Sequence, residues 1–195
     1  RERPRAYGEI RMTQFQFVMV LLSIIIGLGV TDLLSNISRQ IKLRSTITFS
    51  WLQSTLVLFV FVALLQQWWE TWGLQSIDHW NFGTMLLMLS GPVGLYIASH
   101  MLFPHEIEDT DLEDHYFENA RAFWLIAAAV VVASTLFRPI GFGMPLIDPD
   151  NAPSLFMFFA CLGMAFIKNR LVHKLAVPVI FFAILLDIFV FNANI

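Results

Sequence analysis

The sequence predicts an all-α fold, a polytopic transmembrane bundle of six helices with no separate soluble domain. Three observations carry this. Of 195 residues, 57% are hydrophobic and only 14% charged, where a soluble domain has roughly 45–50% and about 25%. Mean hydropathy is +0.66. Six predominantly apolar runs cover most of the chain, and about 20 such residues cross roughly 30 Å of hydrocarbon. The composition excludes a disordered chain, a nucleic-acid-binding domain and an ordinary cytosolic enzyme. The net charge of −3 supplies no basic field for polyanions, so the lipid bilayer is the expected partner and nucleic acid is not.

The spans fall at about 15–37, 47–69, 81–103, 117–137, 154–169 and 172–192. Each run is apolar on every face, and a backbone in lipid must satisfy its own polar groups, which makes each a helix. Alternating ten-residue strands of the kind that build membrane β-barrels do not occur. Residues 1–11 form a basic tail and 12–195 a single transmembrane domain. Met12 opens the hydrophobic region, which marks the tail as a candidate upstream extension.

The first span carries Ser23, Gly27, Thr31 and Ser35 at four-residue spacing. Four small side chains on one stripe allow another helix backbone to approach closely. The stripe is expected to face another helix, in this chain or in a neighbour. Trp68, Trp69, Trp72 and Trp80 cluster around the second connection, with Trp51 and Trp124 near the opposite interface. Indole rings prefer the headgroup level, so these six read as interfacial anchors. Gly91-Pro92 interrupts the third span and Pro178 the sixth, and proline removes a backbone hydrogen bond, so kinks are expected there.

In the third connection Thr110-x-x-Glu113 has the form of a capping box, which starts the fourth helix as an amphipathic extension near Asp111. Leu112, Tyr116, Phe117, Ala120 and Trp124 then recur at helical spacing. The stretch from Arg138 to Pro153 holds four prolines and two glycines and reads as an irregular loop.

Two carboxylates lie inside the spans, Asp32 and Asp187. An ionisable group in hydrocarbon is costly and is by default a functional candidate. Placed near opposite ends of their spans, they form no midplane ion site. Gln53, Ser54, Ser90, Ser99, His100, Ser134 and Thr135 are the main remaining polar groups. His100, His105 and His115 sit near acidic residues, but their spacing of five and ten lacks the helical pairs of metal sites. No metal or other cofactor is expected. His79 and His173 read as single interfacial histidines. The single Cys161 excludes an intrachain disulfide, and no nucleophile or phosphate-binding motif occurs.

Basic residues set the orientation. Seven of the twelve (Arg39, Lys42, Arg44, Arg121, Lys168, Arg170 and Lys174) flank connections 1, 3 and 5, against Arg138 and four arginines in the tail. The positive-inside rule makes the odd connections cytoplasmic and both termini external.

The segment FQFVMVLLSIIIGLGVTDLLSNISRQI, Phe15 to Ile41, resembles the opening of a family of uncharacterised six-helix bacterial inner-membrane proteins. LEDHYFENARAFW, Leu112 to Trp124, is similar to the same family's Asp-x-x-x-Tyr-Phe and Arg-x-Phe pattern. The resemblance implies an inner-membrane location and a start near Met12, and it carries over no catalytic residue. The expected function is non-catalytic: helix–helix contact as an accessory subunit of a membrane complex, or as a homo-oligomer. The alternative is an ion channel or small-solute transporter using Asp32, Asp187 or both.

Overall fold

Helix starts in this chain follow its side-chain acceptors. The computed structural model describes residues 12–75, 80–105, 110–143, 145, 151–186 and 188–189. Within them lie α1 (Gln14–Lys42), α2 (Trp51–Thr71), α3 (Phe82–His100), α4 (Leu112–Phe142), α5 (Ala152–Phe166) and α6 (Arg170–Leu186). Thr13 and Gln16 form a reciprocal capping box on α1. Ser50 accepts from the Gln53 amide, Asn81 from Thr84, and Asn169 from Leu171. Each such oxygen satisfies one of the amides that a helix start leaves unpaired.

Asp111, and not Thr110, caps α4: its carboxylate accepts from the amides of Glu113 at 2.8 Å and Asp114 at 3.2 Å. Thr110 is instead held by its backbone, whose carbonyl accepts from the Thr48 amide at 3.2 Å. The extension before the fourth span is therefore helical as expected, with its cap moved by one residue. At its other end α4 runs on through Pro139 to Phe142 and stops at Gly143, whose φ of 66° suits glycine. The first residues of the loop expected from Arg138 are thus helical, and most of the stretch from 144 to 150 lies outside the described residues. Both Pro92 and Pro178 lie inside continuous helices.

All six helices fall where apolar runs were read, and no strand occurs among the described residues. Four, α1 to α4, are long and apolar enough to cross a membrane. At 15 residues, α5 extends only about 22 Å at 1.5 Å per residue.

Connections 1 and 3 meet at one end of the bundle, where Thr48 pairs with the 110–112 backbone on both sides. Connection 5 joins them through Arg170, whose guanidinium lies 2.6 Å from the Asp114 carboxylate. At the other end the Trp80 amide donates to Gln14 Oε1 at 3.1 Å, and the Trp80 ring packs on Phe137. Successive helices therefore run up and down, with α3 against α4 and α1, α4 against α5, and α6 against α2. The core they share includes Leu22, Leu33, Leu56, Leu64, Leu95, Phe123 and Cys161.

Candidate functional site

The polar interior of the bundle is concentrated at the end carrying connections 1, 3 and 5. Leu112, Tyr116, Ala120 and Trp124 recur every four residues along α4 and are all buried. That stripe brings Tyr116 against the first turn of α6. The Trp124 indole N–H donates to the Tyr116 hydroxyl at 2.9 Å, and this hydroxyl lies 2.6 Å from His173 Nδ1. His173 Nε2 is 2.7 Å from the Ile167 carbonyl. A carbonyl only accepts, so Nε2 carries the proton and Nδ1 accepts from Tyr116. Every polar atom of the three side chains is thereby satisfied. Tyr116 and Phe117 add edge-on ring contacts to the imidazole.

Two sequence expectations change here. Trp124 is fully buried and hydrogen-bonded, so it is a core residue and not an outward-facing interfacial anchor. His173, read as an interfacial histidine without a role, is equally buried and joins α4 to the α5–α6 connection. Among the other tryptophans, Trp51, Trp68, Trp69 and Trp72 are 41–55% exposed. Trp80 is half-buried against Phe137.

Outside this buried chain lies a ring of charge. Glu113 receives Lys174 at 2.8 Å and Arg170 at 3.7 Å, while Arg170 also holds Asp114 and lies over the Phe117 ring. The first turns of α6 are thus tied to the acidic start of α4. Arg121 sits over the Phe166 ring at the end of α5. Arg170 and Asp114 are exposed, and such a pair contributes at most about 1 kcal/mol, while the Lys174–Glu113 pair is half-buried.

Asp32 lies near the same end on α1, half-buried. The Asn36 side chain donates to its carboxylate at 3.2 Å and to its backbone carbonyl at 3.0 Å. His100 Nδ1 approaches the carboxylate at 3.7 Å, but its hydrogen bond is to the Tyr96 carbonyl at 3.0 Å. The Asp32 carboxylate therefore has a local amide partner and only a loose histidine neighbour. Asp32→Asn preserves an acceptor for Asn36, so a stability change below about 1 kcal/mol is expected in detergent unfolding. A larger loss would show a tighter ion pair than the geometry describes. Asp187 lies outside the described residues, as do residues 1–11 and His79.

Within this chain the small-residue stripe of α1 faces outward. Ser23, Gly27, Thr31 and Ser35 are all exposed, and the inward face of α1 is Val18, Leu22, Ile26, Gly29 and Leu33. Close approach inside the chain occurs at Gly29, where an added Cβ would stand 3.2 Å from Leu64 Cδ1. A Cβ on Gly27 would meet nothing within 4 Å. Of the four, Ser23 accepts from the Trp68 indole of α2 at 3.1 Å. Among the described residues no three His, Cys, Asp or Glu side chains converge in a metal-holding group. Comparison with protein-family models, curated proteins and solved structures found no match.

Proposed function

We propose that this chain is a six-helix protein of the bacterial inner membrane that works without catalytic chemistry, through helix–helix contact with other transmembrane chains or with itself. The observation that carries the reading is the exposed small-residue stripe of α1. In lipid, association of helices depends on close packing, and small side chains at i, i+4 spacing permit it. Since α2 and α3 cover the opposite face of α1, the stripe is left for another chain. The distribution of basic residues supports cytoplasmic connections 1, 3 and 5 with external termini. The short α5 ends at Phe166, just before Lys168 and Arg170, which suits a helix finishing at a basic interface.

Native mass after mild detergent extraction tests the reading. The extracted protein is expected above the 22.3 kDa of one chain; a lone single-chain species would remove the proposal. Gly27→Leu is expected to weaken association at least tenfold, about 1.4 kcal/mol. Because a Cβ added there meets nothing within 4 Å, helix content and melting of the single chain should not fall.

A second reading, a channel or small-solute transporter, is favoured by one observation: Asp32 is half-buried beside Asn36 and His100 at the polar end of the bundle. Flux into liposomes that falls with Asp32→Asn or Asp187→Asn would support it, and flux that is absent or indifferent to both would remove it.

A further inference from the structure

The two helices joined by connection 5 leave a cleft inside the bundle. α5 packs on α4 and α6 on α2, while α5 and α6 touch little. Between the four lies a cavity of about 460 Å³, within the roughly 300–1,000 Å³ of small-molecule sites. Along α2 it runs from Phe59 to Glu70, about 16 Å at 1.5 Å per residue, so it is longer than it is wide.

Its lining is graded from apolar to polar along that length. Three helices repeat the gradient: α2 passes from Phe59 to Glu70, α4 from Ala127 to Ser134, and α5, running the other way, from Met157 back to Ser154. The apolar part lies toward the middle of the bundle. The polar part lies at the end opposite connections 1, 3 and 5.

The polar groups are within reach of an occupant. Glu70 and Ser134 are exposed, and Gln67 and Ser154 are half-buried. The Glu70 carboxylate accepts from Gln66 Nε2 through one oxygen, at 2.7 Å, which leaves the other open. Among the described residues no hydrogen bond engages the side chains of Gln67, Ser134 or Ser154. Gly91 on α3 leaves the room that the Gln67 amide occupies, since a Cβ there would stand 2.9 Å from Gln67 Oε1. Glu70 is the one charged side chain lining the cleft among the described residues, and a carboxylate only accepts.

An occupant must therefore bring a positive charge with hydrogens to donate at one end and an apolar body at the other. A fatty acid meets the Glu70 charge with its own. A long-chain alcohol fits the wall but leaves the carboxylate without a counter-charge. A quaternary ammonium has the charge but no N–H for the carboxylate and hydroxyl oxygens. An inorganic cation leaves the apolar part empty. A single-chain primary amine meets every requirement, because an alkylamine, like lysine with its pKa of about 10.4, is protonated at neutral pH.

We infer that the cleft between α2, α4, α5 and α6 binds a single-chain primary aliphatic amine, with its ammonium on Glu70 and its chain toward Phe59. No residue of the α1 small-residue stripe lines the cleft, so amine binding and self-association can fail separately.

The test titrates the full chain in a non-ionic detergent with decylamine under native mass spectrometry, beside decanol, decyltrimethylammonium and phosphatidylethanolamine. Micelle partition of each ligand is common to wild type and variant, so the ratio between the two is the readout. One decylamine is expected to bind. Glu70→Gln keeps an oxygen for Gln66 and removes the charge, and should weaken binding at least about tenfold, as loss of a charged hydrogen bond does. Ala183→Trp, on the exposed α6 wall of the cleft, should obstruct it with a similar loss and unchanged helix content. Decanol should not distinguish wild type from Glu70→Gln, and decyltrimethylammonium should distinguish them less than decylamine does. An equal effect of Glu70→Gln on decylamine and on either of those two ligands overturns the inference, as does wild-type binding by either variant. Displacement of decylamine by phosphatidylethanolamine would also overturn it, by showing a groove for lipid and not for a free amine.

Discussion

Tyr116→Phe is expected to destabilise the bundle by about 2–4 kcal/mol, although it deletes one oxygen and leaves α4 as apolar as before. The phenol is the only link between the Trp124 indole N–H and His173 Nδ1, and all three side chains are fully buried. Its loss orphans a donor on one side and an acceptor on the other, at about 1–3 kcal/mol each. Hydrogen bonds between membrane helices average only about 0.6 kcal/mol in double-mutant cycles, which places the effect in the lower half of the summed range. A loss of that size lowers Tm by roughly 4 °C or more in a chain of this length. His173→Leu in the Tyr116→Phe background should cost less than it does in the wild type, because its bond is already gone. Thermal unfolding in detergent reads both numbers. A Tyr116→Phe protein melting within about 1 °C of the wild type would contradict the hydrogen-bond chain.

Gly94→Ala is expected to change sign with its background. An added Cβ would overlap Val130 Cγ2 across the contact between α3 and α4, two helices that pack closely along their length. Valine in a helix has one strongly preferred rotamer, so Val130 cannot turn aside and the helices must separate. Overpacking of this kind costs about 1–3 kcal/mol, against which alanine regains up to about 1 kcal/mol of helix propensity. The net effect is destabilising in the wild type. In Val130→Ala the obstruction is gone and only the propensity gain remains, so the same substitution should stabilise. Equal effects in both backgrounds would contradict the close approach.

Much of the fold is legible in the sequence because apolar runs and caps are local signals. The starts at Thr13, Ser50 and Asn81 each depend on a side chain within three residues of the amide it satisfies. The up-and-down course, with connections 1, 3 and 5 at one end, follows from the number of helices and the shortness of the connections. Which face of a helix turns inward is less legible when all faces are apolar. On α1 the small stripe and the buried stripe alternate in sequence, Ser23 following Leu22 and Gly27 following Ile26, yet they occupy different faces. Composition alone does not rank them.

Trp124 illustrates a different failure. Its position near a span end suggested the headgroup region, yet its spacing from Leu112, Tyr116 and Ala120 already placed it on one stripe. The stripe proved the better guide, because burial of three members fixes the fourth. The tie to His173 is 57 residues long in sequence and has no local signature. The same holds for Gln53, whose bond to the Leu102 carbonyl spans 49 residues. Sparse polar residues in an apolar chain are visible at once. Their partners emerge only from the packing of distant helices.

On the proposed function, the exposed stripe of α1 meets another protein chain in the membrane. The most direct measurement places a photoreactive phenylalanine analogue at Thr31 and, as a control, at Phe182 on the exposed face of α6, with irradiation in native membranes. A discrete protein adduct above the 22.3 kDa chain is expected from the Thr31 position and not from Phe182. Lipid adducts alone at both positions would contradict it.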